Sequence, residues 1–175
     1  MNHLISINQF KAIFGESIVA CIAATFCAML LNVPVWAMFI GWIAFFTRGI
    51  TTRDWAINMI CVFIGLVIGI TAGLAGAALE PTLGAWSITP VVLMVTLVVL
   101  CLQVLPVINN VLAFFLGLVC FFASHLPASL NTFVELGTAS ALGVSAGLMA
   151  SLIKKYYSGR KVNPRGLDNQ ISLSE

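Results

Sequence analysis

The chain has 175 residues, of which 61% are hydrophobic and only 8% are charged, and its mean hydropathy is +1.08. A soluble domain carries roughly 25% charged residues, so this composition excludes an ordinary water-soluble protein and predicts that lipid surrounds most of the surface. The formal net charge of +2 arises at the C-terminal end and gives no indication of nucleic-acid binding.

Apolar runs separated by proline and polar residues divide the chain into six predicted helices. The runs cover residues 12–31, 35–46, 55–79, 88–105, 107–122 and 131–153. A membrane helix needs about 20 apolar residues, and strands of a membrane barrel would alternate apolar and polar residues. Because these runs are apolar all round, the expected fold class is all-α and polytopic. Asp54 is the expected N-cap of the third helix, and Lys154 and Lys155 are expected to end the sixth.

The two ends of the chain are predicted to lie outside the transmembrane domain of residues 12–153. Residues 1–11 are interpreted as a cytoplasmic or interfacial lead-in, since they lack a basic n-region and a convincing cleavage site. Residues 154–175 are interpreted as a basic, disordered cytoplasmic tail. With the N-terminus inside, six crossings place every Lys and Arg on one side. This distribution predicts an N-in, C-in protein of the bacterial inner membrane.

One eight-residue pattern occurs in both the second and the fifth run. Residues 39–46 and 115–122 each read F-x-G-x-x-x-F-F, 76 positions apart. Each copy is followed by a long run with glycines four residues apart, namely Gly65, Gly69 and Gly73, then Gly143 and Gly147. The chain is therefore predicted to consist of two three-helix halves, about 12–79 and 88–153. Because three is odd, the second half enters the membrane from the opposite side, which gives an inverted repeat.

Short segments at matching positions of two inverted halves indicate a transport site. The run 35–46 would rise only about 18 Å, less than the roughly 30 Å of a hydrocarbon core. It is either a half-helix beside a water-lined cavity or a tilted helix extended through its flanks. In the first case the residues expected to line a pathway are Phe39, Gly41, Trp42, Phe45, Phe115, Gly117 and Phe121. In the second case the aromatic side chains pack against lipid or neighbouring helices.

Three polar residues complete the predicted pathway. Asn109 and Asn110 open the fifth helix, where they either satisfy free backbone groups or contact a polar solute. Glu135 lies in the sixth run. An ionisable group within a membrane segment indicates function, whereas a carboxylate in a first turn suits the helix dipole; both interpretations stay open. The glycines at four-residue spacing are expected to be packing positions within or between subunits of a homo-oligomer.

The sequence predicts neither an enzyme nor a metal or cofactor site. The five cysteines lie in apolar runs without CxxC spacing or a His partner, so they are interpreted as small buried hydrophobes. A phosphate-binding loop, HExxH and paired acids on one face are missing from the sequence.

Three stretches carry a family resemblance: Trp36 to Phe46 with Gly49, Leu102-Gln103 through Leu116-Gly117 to Phe122-Ala123, and the glycine-rich last helix. They resemble the YcdZ-like family of small inner-membrane proteins. The resemblance covers about residues 15–153 and implies a multi-helix inner-membrane protein. The family is known as a domain of unknown function, so the resemblance supplies no substrate.

The expected function is therefore a small channel or transporter for a small polar solute, with the lipid bilayer and further copies of the chain as partners. The alternative is a non-transporting membrane partner or regulatory subunit of another complex.

Overall fold

The computed structural model describes residues 7–159, and residues 1–6 and 160–175 lie outside the described part. All of its regular elements are helical, which confirms the predicted all-α class. The elements are α1 (Ile7–Phe26), a π-helical turn (Cys27–Leu31), α2 (Val35–Phe45), α3 (Thr52–Leu83), a 3-10 turn (Gly84–Ser87), α4 (Ile88–Leu102), α5 (Val111–Ser124) and α6 (Leu130–Gly159).

Three continuous helical segments are long and apolar enough to cross a bilayer. They are Gln9–Leu31, Thr52–Leu102 and Leu130–Tyr157. Two further apolar helices, α2 and α5, have 11 and 14 residues and rise about 16 and 21 Å. The bilayer core is roughly 30 Å thick, so α2 and α5 are shorter than a standard span, as the sequence predicts.

The segment Thr52–Leu102 folds back on itself at Gly84. Gly84 has φ of +53°, a conformation that glycine adopts without steric cost. Residues of α3 and α4 line one apolar cleft of about 330 Å³, with Leu79 and Pro90 near the turn and Ile68 and Val98 further from it. The two helices therefore pack side by side as a hairpin.

Several helix ends differ from the predicted ends. Helix α1 begins at Ile7, within the predicted lead-in of residues 1–11, and helix α4 ends at Leu102 rather than at residue 105. Helix α3 continues past Glu80 and includes Pro81 in its last turn, where the missing N–H removes one i→i−4 hydrogen bond without ending the helix. Helix α5 begins at Val111 rather than residue 107. Helix α6 continues through Lys154 and Lys155 to Gly159, because these lysines end the apolar run but are good helix formers. The prediction of a disordered tail is thus wrong for residues 154–159 and lies outside the described residues from 160 onward.

The predicted N-cap of α3 is also wrong. Thr51 is the N-cap: its Oγ1 accepts from the backbone N–H of Asp54 at 3.1 Å. The Asp54 carboxylate accepts in return from the backbone N–H of Thr51 at 3.4 Å. This reciprocal pair is a capping box, and it places Asp54 at the third helical position instead of at the cap.

The core consists of two crossed helix pairs, α2 with α6 and α5 with α3. In the first pair, a Cβ added to Gly41 would overlap the carbonyl oxygen of Ser140. A Cβ added to Gly143 would overlap the carbonyl oxygen of Met38. The two backbones are therefore in direct contact, which only residues as small as glycine allow.

The second pair crosses in the same manner. A Cβ on Gly117 would overlap the carbonyl oxygen of Val62, and one on Gly65 would overlap that of Phe114. The Cα atom of Gly65 lies 3.0 Å from that hypothetical Cβ of Gly117. Each short helix thus packs against the long helix of the other half of the chain.

Aromatic rings cover the other three of the glycines that the sequence places at four-residue spacing in the long helices. The Phe45 ring lies on Gly147, where an added Cβ would be 2.9 Å from the Phe45 Cβ. The Phe121 ring lies on Gly69 and Gly73, again with closest distances of 2.9 Å. Phe45 and Phe121 are buried as a result. All five glycines at four-residue spacing therefore lie in contacts between helices.

Candidate functional site

A cluster of polar side chains lies where α2 ends and α5 begins. Thr47 follows α2, and its hydroxyl donates to the carbonyl oxygen of Ala44 at 2.7 Å. Asn110 is the N-cap of α5, and its Oδ1 accepts from the backbone N–H of Ala113 at 3.3 Å. The Asn110 Nδ2 donates to Thr47 Oγ1 at 2.5 Å. Side chains that complete the two helix ends are therefore joined to each other.

Asn58, in the second turn of α3, connects this cluster to the core. Its side chain is fully buried. Its Oδ1 accepts from Asn110 Nδ2 at 2.7 Å, and its Nδ2 donates to the carbonyl oxygen of Phe45 at 2.9 Å. That carbonyl belongs to the last residue of α2, where helix carbonyls lack partners within the helix. Because an unpaired polar group in an apolar interior costs several kcal/mol, this network stabilises the junction of three helices.

Arg48 forms the outer part of the cluster. Its Nη1 donates to the carbonyl oxygen of Val107 at 3.1 Å and to Oδ1 of Asn109. Its Nε lies 3.3 Å from Oδ1 of Asp54. The guanidinium therefore ties the segment before α5 to the start of α3 and is held in one orientation by three groups.

These residues surround an open polar cleft of about 440 Å³, lined by Thr47, Arg48, Asn109 and Asn110. Arg48 and Asn109 are exposed, whereas Asn110 is 8% exposed and marks the inner end of the cleft. We call this feature the Arg48 cleft. It brings together two residues that the sequence predicts, Asn109 and Asn110, with two that it does not, Thr47 and Arg48.

The other predicted pathway residues do not meet at the Arg48 cleft. The backbone of a neighbouring helix occupies the space beside Gly41 and beside Gly117. Phe45 and Phe121 are buried against glycines, so the described residues leave no open space at these four positions. Their position is that of packing residues at the two crossings.

The remaining aromatic candidates lie nearer the surface. Phe39 is exposed, and Trp42 and Phe115 are partly buried. Phe115 packs on the main apolar core, and Trp42 packs on a smaller apolar group that includes Met38. The structure does not bring these three side chains together around a shared cavity, so the predicted lining role of this set stays a prediction.

Glu135 lies at the end of the protein away from the Arg48 cleft. It is partly exposed in the second turn of α6, and its backbone carbonyl accepts from Thr138 Oγ1 at 3.0 Å. Helices α2 and α6 run in the same direction, because Gly143 contacts Met38 and the later Gly147 contacts the later Phe45. The end of α2 therefore lies beside the part of α6 that follows the crossing. Glu135 precedes the crossing and is therefore separated from Asn109 and Asn110.

Sequence reasoning missed Asn58, although the signal was present. Asn58 is the only Asn in the apolar run 55–79, and a strongly polar side chain at that depth indicates a specific partner. The interpretation of all five cysteines as buried is correct for Cys27, Cys61 and Cys120, but Cys21 and Cys101 are exposed. Among the described residues, no group of three or more His, Cys, Asp or Glu side chains could hold a metal ion.

Together these features define an all-α protein whose apolar helices are suited to a lipid bilayer. Within that class, the chain belongs to the family described as Protein of unknown function (DUF1097), whose model matches residues 14–155. The match covers nearly all of the described helices and assigns no activity, and the narrower YcdZ-like name is not confirmed by it. No curated protein and no solved structure matches the chain.

Proposed function

We propose that this chain is a transporter for a small polar solute, built from two inverted three-helix repeats in the bacterial inner membrane with both termini in the cytoplasm. The halves are about 12–79 and 88–153. The observation that carries the proposal is a pair of matched helix crossings, one of which adjoins a buried polar cluster that opens into the Arg48 cleft. The Lys and Arg distribution and the resemblance to YcdZ-like proteins support the orientation and the membrane.

Matching contacts in the two crossings support the repeat. Gly41 contacts the carbonyl of Ser140, and Gly117 contacts the carbonyl of Val62. Gly117 lies 76 positions after Gly41, and Ser140 lies 78 positions after Val62. The same displacements relate Gly143 on Met38 to Gly65 on Phe114. A chance recurrence of Phe and Gly in the sequence would not reproduce the same atomic contacts.

The starts of the two long helices also correspond. At α3, Thr51 Oγ1 accepts from the backbone N–H of Asp54 at 3.1 Å. At α6, Ser129 Oγ accepts from the backbone N–H of Thr132 at 3.2 Å, and both of these residues stand 78 positions later. The hydroxyl cap and its distance to the capped residue therefore recur where the repeat predicts them.

The closed crossings favour a carrier over an open channel. No open space lies beside Gly41 or Gly117 in the described residues, so a static pore through these positions is unsupported. In inverted-repeat transporters, one unit rocks against the other around a fixed site. We therefore place solute binding at the Arg48 cleft, with passage requiring movement at the crossings.

Flux through proteoliposomes tests the proposal. Purified full-length protein is reconstituted, and solute uptake is followed by light scattering with urea, glycerol, ammonium and phosphate as probes. Thr47→Val removes the hydroxyl that holds Asn110 at the inner end of the cleft. If the loss of this bond weakens solute binding by its usual value of about 1 kcal/mol, flux at low solute concentration falls about fivefold. Thr25→Val is the matched control, because Thr25 also bonds back to its own helix, at 2.9 Å to the carbonyl of Cys21, but lies away from the cleft. Leakage equal to that of protein-free liposomes for all four probes would contradict transport.

A second candidate function is that of a non-transporting partner or regulatory subunit of another membrane complex. The tightly closed crossings favour it, because they resemble static packing more than a route for solute. This function predicts no flux together with a stoichiometric second protein after mild detergent extraction. The transport proposal instead expects a homo-oligomer of this chain alone, which native mass spectrometry distinguishes.

A further inference from the structure

We propose that the Arg48 cleft binds an oxyanion of the phosphate type, either the headgroup of an anionic lipid or a free anion. This inference takes its site from the proposed function and names the chemistry that the site accepts. It is argued from the donors, acceptors and charge around the cleft.

The first argument is the orientation of Arg48. Nη1 is held by Val107 and Asn109, and Nε faces Asp54. Among the described residues, Arg48 donates its hydrogen bonds through Nη1, so the Nη2 donors remain for a ligand. A planar guanidinium fixed in this way needs little further ordering to bind phosphate oxygens.

The second argument is that the hydrogen-bond acceptors around the cleft are already engaged. The Val107 carbonyl and Asn109 Oδ1 accept from Arg48, and Asn110 Oδ1 accepts from Ala113. The Thr47 hydroxyl donates to Ala44 and accepts from Asn110. The Asn109 Nδ2 group remains as a donor beside Arg48. A ligand that supplies acceptors therefore fits the cleft better than one that supplies donors.

The third argument is electrostatic. The Asp54 carboxylate offsets part of the Arg48 charge, but none of the four residues that line the cleft is acidic. The N-terminus of α5, which carries a partial positive charge, lies at the cleft. The N–H groups of Val111, Ala113 and Phe114 are bonded, to the Asn109 carbonyl at 3.2 Å, to Asn110 Oδ1 at 3.3 Å and to the Asn110 carbonyl at 3.2 Å, so the helix contributes mainly through its dipole. The local field favours an anion.

Binding is tested with the full-length protein in nanodiscs, with two probes. In phosphatidylcholine discs, inorganic phosphate is titrated against chloride at constant ionic strength by calorimetry. In phosphate-free buffer, discs of phosphatidylglycerol are compared with discs of phosphatidylcholine by melting temperature and by lipid retention in native mass spectrometry. The variants are Arg48→Gln, Asn109→Asp and, as the matched control, Arg53→Gln, which removes the same charge five positions away.

Wild type and Arg53→Gln are expected to bind the probes with affinities within about twofold of each other. Arg48→Gln and Asn109→Asp are expected to weaken binding at least about tenfold, because the loss of one charge-assisted hydrogen bond corresponds to a factor of that size. Asn109→Asp keeps an oxygen that accepts from Arg48 but adds a negative charge, so it decides the outcome if Arg48→Gln does not fold. A response to inorganic phosphate identifies a free anion, and a response to phosphatidylglycerol alone identifies a headgroup.

Two results would overturn the site: no response of the wild type to either probe, or an equal loss in Arg53→Gln, which would indicate general surface charge. Binding and flux fail separately. Arg48-dependent binding without flux of any probe would contradict transport and leave the oxyanion site intact. Flux without such binding would contradict only the oxyanion site.

Discussion

Replacing Gly41 with alanine should destabilise the protein, although alanine is the better helix former. The added Cβ would overlap the backbone carbonyl of Ser140. A backbone carbonyl cannot rotate away as a flexible side chain can, so α2 and α6 must separate. Overpacking of this kind costs typically 1–3 kcal/mol. The higher helix propensity of alanine stabilises the variant by about 0.8–1.0 kcal/mol. The free energy of unfolding is therefore expected to fall by up to about 2 kcal/mol.

Two other glycines provide matched controls for the same substitution. Gly137 also lies in α6 and is buried, but an added Cβ would be 3.8 Å from Phe63 Cε1, which is an ordinary contact. Gly76, in α3, has nothing within 4 Å of an added Cβ. Gly137→Ala and Gly76→Ala should therefore leave stability unchanged or raise it by up to about 1 kcal/mol.

The measurement is reversible unfolding in mixed micelles with increasing SDS, followed by tryptophan fluorescence. Gly117→Ala should match Gly41→Ala in sign and size, because its added Cβ would overlap the carbonyl of Val62. If Gly41→Ala is as stable as Gly76→Ala, the backbones at the α2–α6 crossing are not in contact. If only one of the two crossing variants is destabilised, the equivalence of the halves is contradicted.

Two further predictions concern the polar cluster and the topology. Asn58→Leu should lower the free energy of unfolding by about 1–3 kcal/mol, because the Phe45 carbonyl and one bond of Asn110 Nδ2 lose their partner; micelle unfolding at wild-type stability would contradict the buried network. In a background without native cysteines, Arg53→Cys at the start of α3 and Ser87→Cys in the 3-10 turn that follows α3 should react with a membrane-impermeant maleimide from opposite faces. Labelling of both from one face would contradict a membrane crossing by α3.

The helices could be predicted from the sequence, but their partners could not. Apolar runs and proline breaks locate all six α-helices of the described residues within a few positions. The F-x-G-x-x-x-F-F pattern selects Gly41 and Gly117, the residues at the crossings. The spacing of glycines within one helix predicts which face carries small residues, but it does not predict which other helix packs on that face. The sequence thus predicts two triplets, whereas α2 packs mainly on α6 of the other half.

The polar cluster was only half predictable for a related reason. Asn109 and Asn110 precede an apolar run and are expected at a helix start. From the sequence, Arg48 contributes only to the predicted topology. Its role in the cluster could not be predicted, because its partners Val107 and Asn109 are about 60 positions away. Such a contact depends on how α2 and α5 approach one another, which no local pattern encodes.

The need to pair the carbonyl groups at the ends of the short helices does not by itself explain the polar cluster, as the other end of the molecule shows. Both short helices end with a carbonyl that needs a partner: Asn58 donates to that of Phe45 at 2.9 Å, and Ser124 donates to that of Phe121 at 2.6 Å. A local serine therefore suffices where the second half faces the same problem.

The position of the second half that corresponds to Asn58 is the buried Leu136, and those that correspond to Asn110 and Thr47 are Pro34 and Ala123. All three polar positions are thus apolar in their counterparts, while the glycine crossings match. If the halves are inverted, equivalent positions lie at opposite faces of the membrane. The packing is then common to both faces and the polar cleft belongs to one, an asymmetry that the proposed binding site predicts and that the shared helix packing does not.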